Sequence, residues 1–369
     1  MLNIKNIECC DLNIPFNESF SHASASRNST QSIWVTIETD CGLTGYGEGC
    51  PREYVTGESL ESVARFVHEI NNSVLDAIHS LYDLKQWVTR NEIDIDVNPA
   101  AWCAVELAIL DVLAQSESCV IETLLDIPIE KELFTYTAIL GNNALPGFEK
   151  QFNQYRKMGF EQYKVKLSGN YRDDKERLDL IFNSREKMQV RVDANNFWKN
   201  KEAVIDYIRL LNHPFDAIEE PMIPGQYDDL RYISAELGVP IILDESFCSR
   251  AQFIPIIDFP YSWILNIRVS KMGGLLRTID IINIAESFRI PIIIGAHVGE
   301  TSLLTRAGLV AARAAHHSLI AQEGGFGTYL LKYDICDEPV QFRKNGELYF
   351  PTNIKDDSGF GIKIKEVQT

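Results

Sequence analysis

Between Gln189 and Ser246 the chain carries QVRVDANN (189–196), AIEEP (217–221) and IILDES (241–246), three short apolar runs that each end on an acid. The terminal acids are Asp193, Glu219 and Asp244, separated by 26 and 25 residues. Each separation holds one strand, one helix and two turns, and repeated β-then-α units build a parallel sheet. The rhythm continues on both sides. Strands are expected at Thr135–Ala138, Gln162–Leu167, Gln189–Asp193, Ala217–Glu219, Ile241–Asp244, Ile264–Val269 and Pro291–Gly295, with an eighth weakly marked after Ala315. Helices fall between them, as at Ala203–Asn212 and Arg277–Phe288. Seven or eight such units suit a closed barrel better than an open sheet. A Rossmann-like sheet is the competing arrangement, but no G-x-G-x-x-G follows its first strand.

The flanks have a different texture. Ser32–Glu38 (SIWVTIE) alternates and is β-branched, and Asp40-Cys-Gly-Leu-Thr-Gly supplies turn residues before Tyr46-Gly-Glu-Gly. Pro99–Gln115 (PAAWCAVELAILDVLAQ) reads as a helix that is apolar nearly all round and therefore buried. Beyond the barrel, Val340–Phe350 carries Asn345-Gly346, the favoured type I′ hairpin turn, so a C-terminal hairpin packing on the N-terminal part is expected.

Composition narrows the function. At 369 residues, 45% hydrophobic and 24% charged, the chain is long enough for a large domain plus a smaller one. A formal charge of −17 argues against a nucleic-acid partner, because phosphate binding needs surplus Lys and Arg. The eight cysteines form no C-x-x-C pair, so neither a zinc site nor a disulfide framework is suggested. With no apolar signal core at Met1–Glu8 and no long uninterrupted apolar run, no membrane association is expected and a cytoplasmic location is.

Strand ends in a barrel converge on one mouth, so Asp193, Glu219 and Asp244 are expected to meet around one ion, and three hard oxygen ligands suit Mg²⁺. Taken singly, each acid also suits the N-cap of the following helix. One unit upstream, Lys164 and Lys166 share a strand face. Two adjacent ammonium groups, partly buried, should each have a depressed pKa, which makes one a competent general base. The plain alternative is an exposed edge strand with two solvated lysines. One unit downstream stands Arg268, in Asn266-Ile-Arg-Val-Ser-Lys-Met-Gly-Gly274, expected to face Lys166 across the mouth. His297, in Gly295-Ala-His-Val-Gly-Glu300, lies just past the seventh strand and is a candidate acid; Glu300 is a weaker one. His316-His317 reads as packing or surface in a helical stretch, and Glu220 and Glu245 fall on the strand phase opposite the ligands.

Lys164-x-Lys166, Asp193, Glu219, Asp244 and the K-x-G-G of Lys271–Gly274 resemble the enolase superfamily, in its muconate-lactonizing enzyme subgroup. The resemblance implies a modified (β/α)7β barrel over residues 131–325. An α+β capping domain would comprise residues 1–130, joined by the C-terminal segment 326–369. The segment Pro51–Glu58 and the buried helix look like parts of that capping domain, and Pro15–Arg27 like its flexible, substrate-selecting loop. It implies that Lys166 is the base, Lys164 its assistant, and the three acids ligands of one Mg²⁺. The substrate would be a small-molecule carboxylate losing its α-proton to give a metal-stabilised enolate, and the enzyme a homo-oligomer. The family spans racemases, dipeptide epimerases, N-acylamino acid racemases, o-succinylbenzoate synthases and cycloisomerases, so isomerisation or β-elimination follows.

Arg268 departs from the pattern, since the family holds a second catalytic lysine there. Arginine stays protonated in almost any setting and is a poor base but a good anion partner. The substitution favours a one-base, dehydratase-type course with Arg268 and His297 assisting over two-base epimerisation. Two other classes stay open on the residues alone. One is a Schiff-base aldolase using Lys164 or Lys166. The other is a catalytically silent binding protein, against which the intact acid triad speaks.

Overall fold

The computed structural model describes residues 2–22, 25–184, 187–315, 317–325, 327–342, 346–352 and 357–365. The chain opens with strands β1 (Ile4–Leu12), β2 (Pro15–His22), β3 (Ala25–Ser29), β4 (Ser32–Thr39) and β5 (Thr44–Gly49). β1, β4 and β5 form an antiparallel sheet with β4 central, which is why SIWVTIET is buried on both faces. β2 and β3 pair as a hairpin, so the described residues of Pro15–Arg27 are extended rather than a plain loop. Its base is held by Asn17, whose side-chain amide donates to the Tyr329 and Leu331 carbonyls at 3.2 and 3.1 Å.

Helices α1 (Leu60–Ala77), α2 (Leu81–Arg90), α3 (Glu92–Val97) and α4 (Pro99–Ser116) follow. α4 has the length and apolarity of a membrane span, but Pro99 through Ala114 are buried within the fold. Its Val105, Leu107, Ile109, Leu110 and Val112 are fully buried, each worth about 1.5–3 kcal/mol. The close seat of α4 depends on alternate glycines in β5. A Cβ at Gly45, Gly47 or Gly49 would lie 2.3, 1.8 or 2.1 Å from the carbonyl oxygens of Ala108, Ala104 and Ala100. Gly47→Ala must push helix and sheet apart, and a loss of about 1–3 kcal/mol or more is expected. A urea-unfolding midpoint equal to that of the wild type would refute this.

The second part is a parallel sheet in sequential order, β7 (Ala138–Leu140), β8 (Gln162–Lys166), β9 (Gln189–Asp193), β10 (Ala217–Glu219), β11 (Ile241–Leu243), β12 (Trp263–Ile267), β13 (Ile292–Ile294) and β14 (Leu319–Gln322). The sheet curls until its edges meet, and the Thr137 amide donates to the Gln322 carbonyl at 2.8 Å. The expected (β/α) barrel with a separate N-terminal sheet domain is therefore present. The helices lie at Lys201–Leu211 and Leu275–Ser287 where they were anticipated, shifted by one or two residues.

Two expectations need correction. The first barrel strand is not Thr135–Ala138: β6 (Leu133–Thr135) leaves the barrel to pair antiparallel with β15 (Glu347–Tyr349), and the parallel strand starts at Ala138. Phe134 and Leu348, opposite each other in that ribbon, are fully buried, which favours it over the anticipated C-terminal hairpin. Residues 340–342 are not a strand, and Asn345 lies outside the described residues.

The last residues nevertheless return to the N-terminal part. The Ile121 amide donates to the Gly359 carbonyl at 3.0 Å, and the Phe360 amide to Asp111 of α4 at 3.1 Å. Buried Arg306 and Arg313 both pair with Glu122. Arg306 also donates to the Phe360 carbonyl at 2.9 Å and Arg313 to the Phe350 carbonyl at 3.1 Å.

Candidate active site

Inside the barrel, Ala217, Ile242, Ile264, Ile293 and Ala321 form their own buried apolar cluster. Side chains two residues apart on a strand share a face. The next inward positions are therefore Glu219, Asp244, Asn266, Gly295 and Glu323, stacked over an apolar floor that keeps water away. β8 and β9 contribute Lys164, Lys166 and Asp193 to the same mouth, with Lys166 opposite Asp193 in register and Asp193 opposite Glu219.

Lys164 Nζ lies 2.6 Å from Glu219, 3.0 Å from Glu323 and 3.2 Å from Asp193. Burial lowers the Lys164 pKa, but the carboxylates of Glu219, Glu323 and Asp193 outweigh it and hold the group well above its ordinary value. The expectation that both lysines are depressed by each other thus fails for Lys164, because acids surround it. Lys166 Nζ is 2.8 Å from Asp193 and 2.9 Å from Asn195 Oδ1. Asn195 and Asn196 both sit in the left-handed region, at φ 46° and 60°, which asparagine tolerates. That turn brings the Asn195 side chain back to Lys166, and its amide to Asp193 Oδ1 at 2.9 Å.

Asp244 accepts from Lys271 at 2.8 Å and pairs with Arg268. Burial pushes its carboxyl up, yet Arg268 and Lys271 together hold it below the usual range. Burial likewise opposes ionisation of Asp193, but Lys166 and Lys164 bring it to about 2. Glu219 behaves differently: burial is the main cause that raises it to about 8, against the pull of Lys164, with Asp193, Glu323 and Asp244 adding to the rise.

Arg268 stands four strands from Lys166 in the eight-stranded order, hence across the mouth. Burial works against its charge, but Asp244 and Glu245 raise its proton affinity above that of free arginine. It donates to His297 Nδ1 at 3.1 Å. An accepting Nδ1 places the ring proton on Nε2, a tautomer set by the donor. Burial, then Arg268, Arg52, Lys271 and Arg27, push His297 well below its ordinary pKa, so the ring is neutral. Its backbone amide donates to Glu300 at 2.6 Å.

Reading the strands alone missed several neighbours. Glu323 follows the weakly marked eighth strand, and its inward phase was readable only once Ala321 was placed. Glu220 and Glu245 do not follow strand alternation, because β10 and β11 end just before them and the chain turns. Glu220, at φ 36°, bends so that its carboxylate accepts from the Asp244 and Ser246 amides at 2.7 Å each, fixing the strand end that carries Asp244. Glu245 is pushed up to about 7 by burial and by Asp244, with Arg268 pulling it down. His317 lies in a turn beyond the helix Ser302–Ala314, and His316 is outside the described residues.

As the side chains stand, no three His, Cys, Asp or Glu among the described residues close on one point at metal-binding distance. Lysine and arginine cations stand between the acids instead. The donors nevertheless suit a hard divalent cation: they are carboxylate oxygens at the ends of consecutive strands.

The family model described as enolase C-terminal domain-like matches residues 147–368, well over half the chain. The chain belongs to the enolase superfamily. It is thus an enzyme, an isomerase or lyase of that superfamily. It is 25% identical to the N-succinyl-L-Arg/Lys racemase of Bacillus cereus over 99% of this chain and 96% of the racemase. The crystal structure of the N-succinyl Arg/Lys racemase from that species superposes with a TM-score of 0.84. It is also 25% identical to the hydrophobic dipeptide epimerase of Enterococcus faecalis, over 88% and 92% of the two chains. The dipeptide epimerase of Methylococcus capsulatus, solved with Mg and the dipeptide L-Arg-D-Lys, is 25% identical over 98% of this chain and 99% of its own, with a TM-score of 0.84.

In this superfamily member the N-terminal sheet reaches the mouth through β5. Glu48 accepts from the Thr301 hydroxyl at 2.6 Å and amide at 3.1 Å, holding the turn that carries His297. Burial pushes Glu48 up to about 8 from the ordinary 4.5. A raised carboxyl keeps its proton in the folded state at a pH where the unfolded chain has lost it. Its contribution to stability is therefore complete below about pH 4.5 and lost as the pH rises through about 8. Glu48→Gln should flatten the decline in unfolding free energy across that window. An unaltered slope in urea titrations would contradict the assignment.

Proposed function

We propose that this enzyme is a Mg²⁺-dependent, one-base catalyst that removes the α-proton of a small carboxylate substrate. Asp193, Glu219 and Asp244 would hold the metal. When bound, Mg²⁺ supplies Lewis-acid stabilisation of the charge that builds on the substrate carboxylate, and its own charge lowers the proton affinity of nearby lysines. Lys166, positioned by Asp193 and Asn195, would accept the α-proton on Nζ. Lys164 stays cationic and balances Glu219 and Glu323. Arg268 neither accepts nor releases a proton; it offers fixed positive charge on the opposite side. The neutral His297 offers an Nε2–H beside it.

The observation that carries the reading is the contrast across the mouth. On one side is the amine of Lys166, held by Asp193 and Asn195, and on the other a guanidinium tied to Asp244. Loss of a β-substituent, or breakage of an internal bond, completes a reaction that needs one base. The full-length similarity to racemases and epimerases supports a second reading, isomerisation with inversion, in which His297 would have to serve the other face. N-succinylamino acids and dipeptides are the first substrates to try.

The test is α-proton exchange in D₂O with Mg²⁺, followed by NMR. Deuterium uptake abolished by EDTA and restored by added Mg²⁺ is the expected result. Uptake that survives EDTA would sink the metal assignment. A product reducible to the enzyme by borohydride would indicate a Schiff base instead.

A further inference from the structure

Glu220 is fully buried and has a φ of 36°, in the left-handed region that a glutamate rarely adopts. It follows Glu219 directly, and its polar groups are spent on strand ends at the mouth. Its amide donates to the Ile242 carbonyl of β11 at 3.1 Å. Its carbonyl accepts at 2.8 Å from the amide of Asn196, in the turn that follows Asp193. One carboxylate oxygen accepts from the amides of Asp244 and Ser246 at 2.7 Å each, and the other from the Ser246 hydroxyl at 2.8 Å. Ser246 leads back to the segment after β10. Its hydroxyl oxygen accepts from the Gly225 amide at 3.0 Å, and Tyr227 donates to its carbonyl at 2.6 Å.

One residue therefore touches all three segments that carry Asp193, Glu219 and Asp244. It reaches the first through its carbonyl, the second through a peptide bond and the third through its side chain. β9 and β10 end on their acids, and β11 ends one residue before Asp244. The spacing of the three carboxylates thus depends on contacts made beyond the ladder of the sheet. A left-handed glutamate is costly, and ending a strand does not require one. Here the same turn lets a single side chain span from the Glu219 strand to the backbone on either side of Glu245.

We infer that Glu220 is the positioning residue of the proposed cation site. Its reach sets the spacing of Asp193, Glu219 and Asp244, and that spacing makes the site select Mg²⁺ over Ca²⁺. Mg²⁺ demands a near-ideal octahedron of oxygens, whereas Ca²⁺ accepts more ligands at longer and less regular distances. A loosened triad loses Mg²⁺ first. The inference rests on the proposed reading that the three acids hold a divalent cation, and it makes no use of the substrate or of proton transfer.

The experiment is calorimetric titration of the full chain with Mg²⁺ and, separately, with Ca²⁺, in the wild type and two variants. Glu220→Asp keeps the charge and suits a left-handed backbone, but is too short to hold both amides. Glu220→Gln loses the charge but keeps an oxygen where the Asp244 and Ser246 amides donate. Glu220→Asp should weaken Mg²⁺ by roughly 10- to 100-fold, the range for groups that orient metal ligands. Ca²⁺ should weaken less, so the preference for Mg²⁺ falls by about 10-fold. Glu220→Gln should keep the wild-type preference. Circular dichroism and the unfolding midpoint check that both variants fold. Should Glu220→Asp not fold, Ser246→Ala, which frees one carboxylate oxygen, must lower the preference in the same direction. An unchanged preference in Glu220→Asp would overturn the inference. So would an equal loss in Glu220→Gln, because charge rather than reach would then be at work. The metal reading fails differently: a wild type that binds neither ion sinks both, whereas a wild type that binds Mg²⁺ with a preference indifferent to Glu220→Asp sinks this inference alone.

Discussion

Lys166→Ala should reduce α-proton exchange by roughly 10²- to 10⁴-fold, the usual contribution of a positioned general base. The side chain is held by two acceptors, Asp193 and Asn195, at the rim of a buried carboxylate cluster. Removing it leaves Asp193 without its nearest cation, so the alanine variant must also be checked for retained Mg²⁺ binding by calorimetry. Exchange lost with metal binding kept is the expected pair of results. Exchange at near wild-type rate would transfer the base to another group, and Lys164, fixed among three acids, would be next in line.

Arg268→Lys should change the stereochemical course rather than the rate alone. The wild type is expected to exchange the α-proton of one enantiomer. Lysine at this position keeps a cation against Asp244 but supplies a group that can lose its proton, on the side opposite Lys166. Exchange of the other enantiomer should rise by about 10²-fold or more, the lower end for acid–base participation, with inverted product appearing. Chiral chromatography of the product with the deuterium read by mass spectrometry reports both. A wild type that exchanges both enantiomers at similar rates would refute the one-base course outright.

The barrel was legible because its strands are short apolar runs bounded by turns, and because the mouth residues repeat once per unit. Asp193, Glu219, Asp244, Lys164, Lys166 and Arg268 all follow from that spacing together with side-chain alternation, and the structure brings them to one end of the barrel. Alternation stops being informative where the strand stops. Strand phase says nothing of what Glu220 and Glu245 touch, because the chain turns at Glu220, and no strand rule anticipates φ of 36° in a glutamate. The state of the lysines was also beyond sequence. Two neighbouring ammonium groups suggest depression, but the sign for Lys164 is decided by Glu219, Glu323 and Asp193, and Glu323 comes 159 residues later. The β6–β15 ribbon was hidden for a related reason. Pairing between strands more than 200 positions apart leaves no local trace.

The return of the C-terminal tail bears on how the protein is made. Phe360 and Gly359 bind Asp111 and Ile121, and Arg306 and Arg313 take backbone carbonyls at Phe360 and Phe350. A ribosome synthesises those partners after the residues they bind. While they are still in the exit tunnel, Arg306 and Arg313 keep Glu122 but lack the carbonyls that complete their hydrogen bonds. The side of α4 that Asp111 lies on is likewise uncovered. The nascent chain can assemble its barrel strands in order, but this seam between the two parts closes only once residues 350–360 are free to fold back.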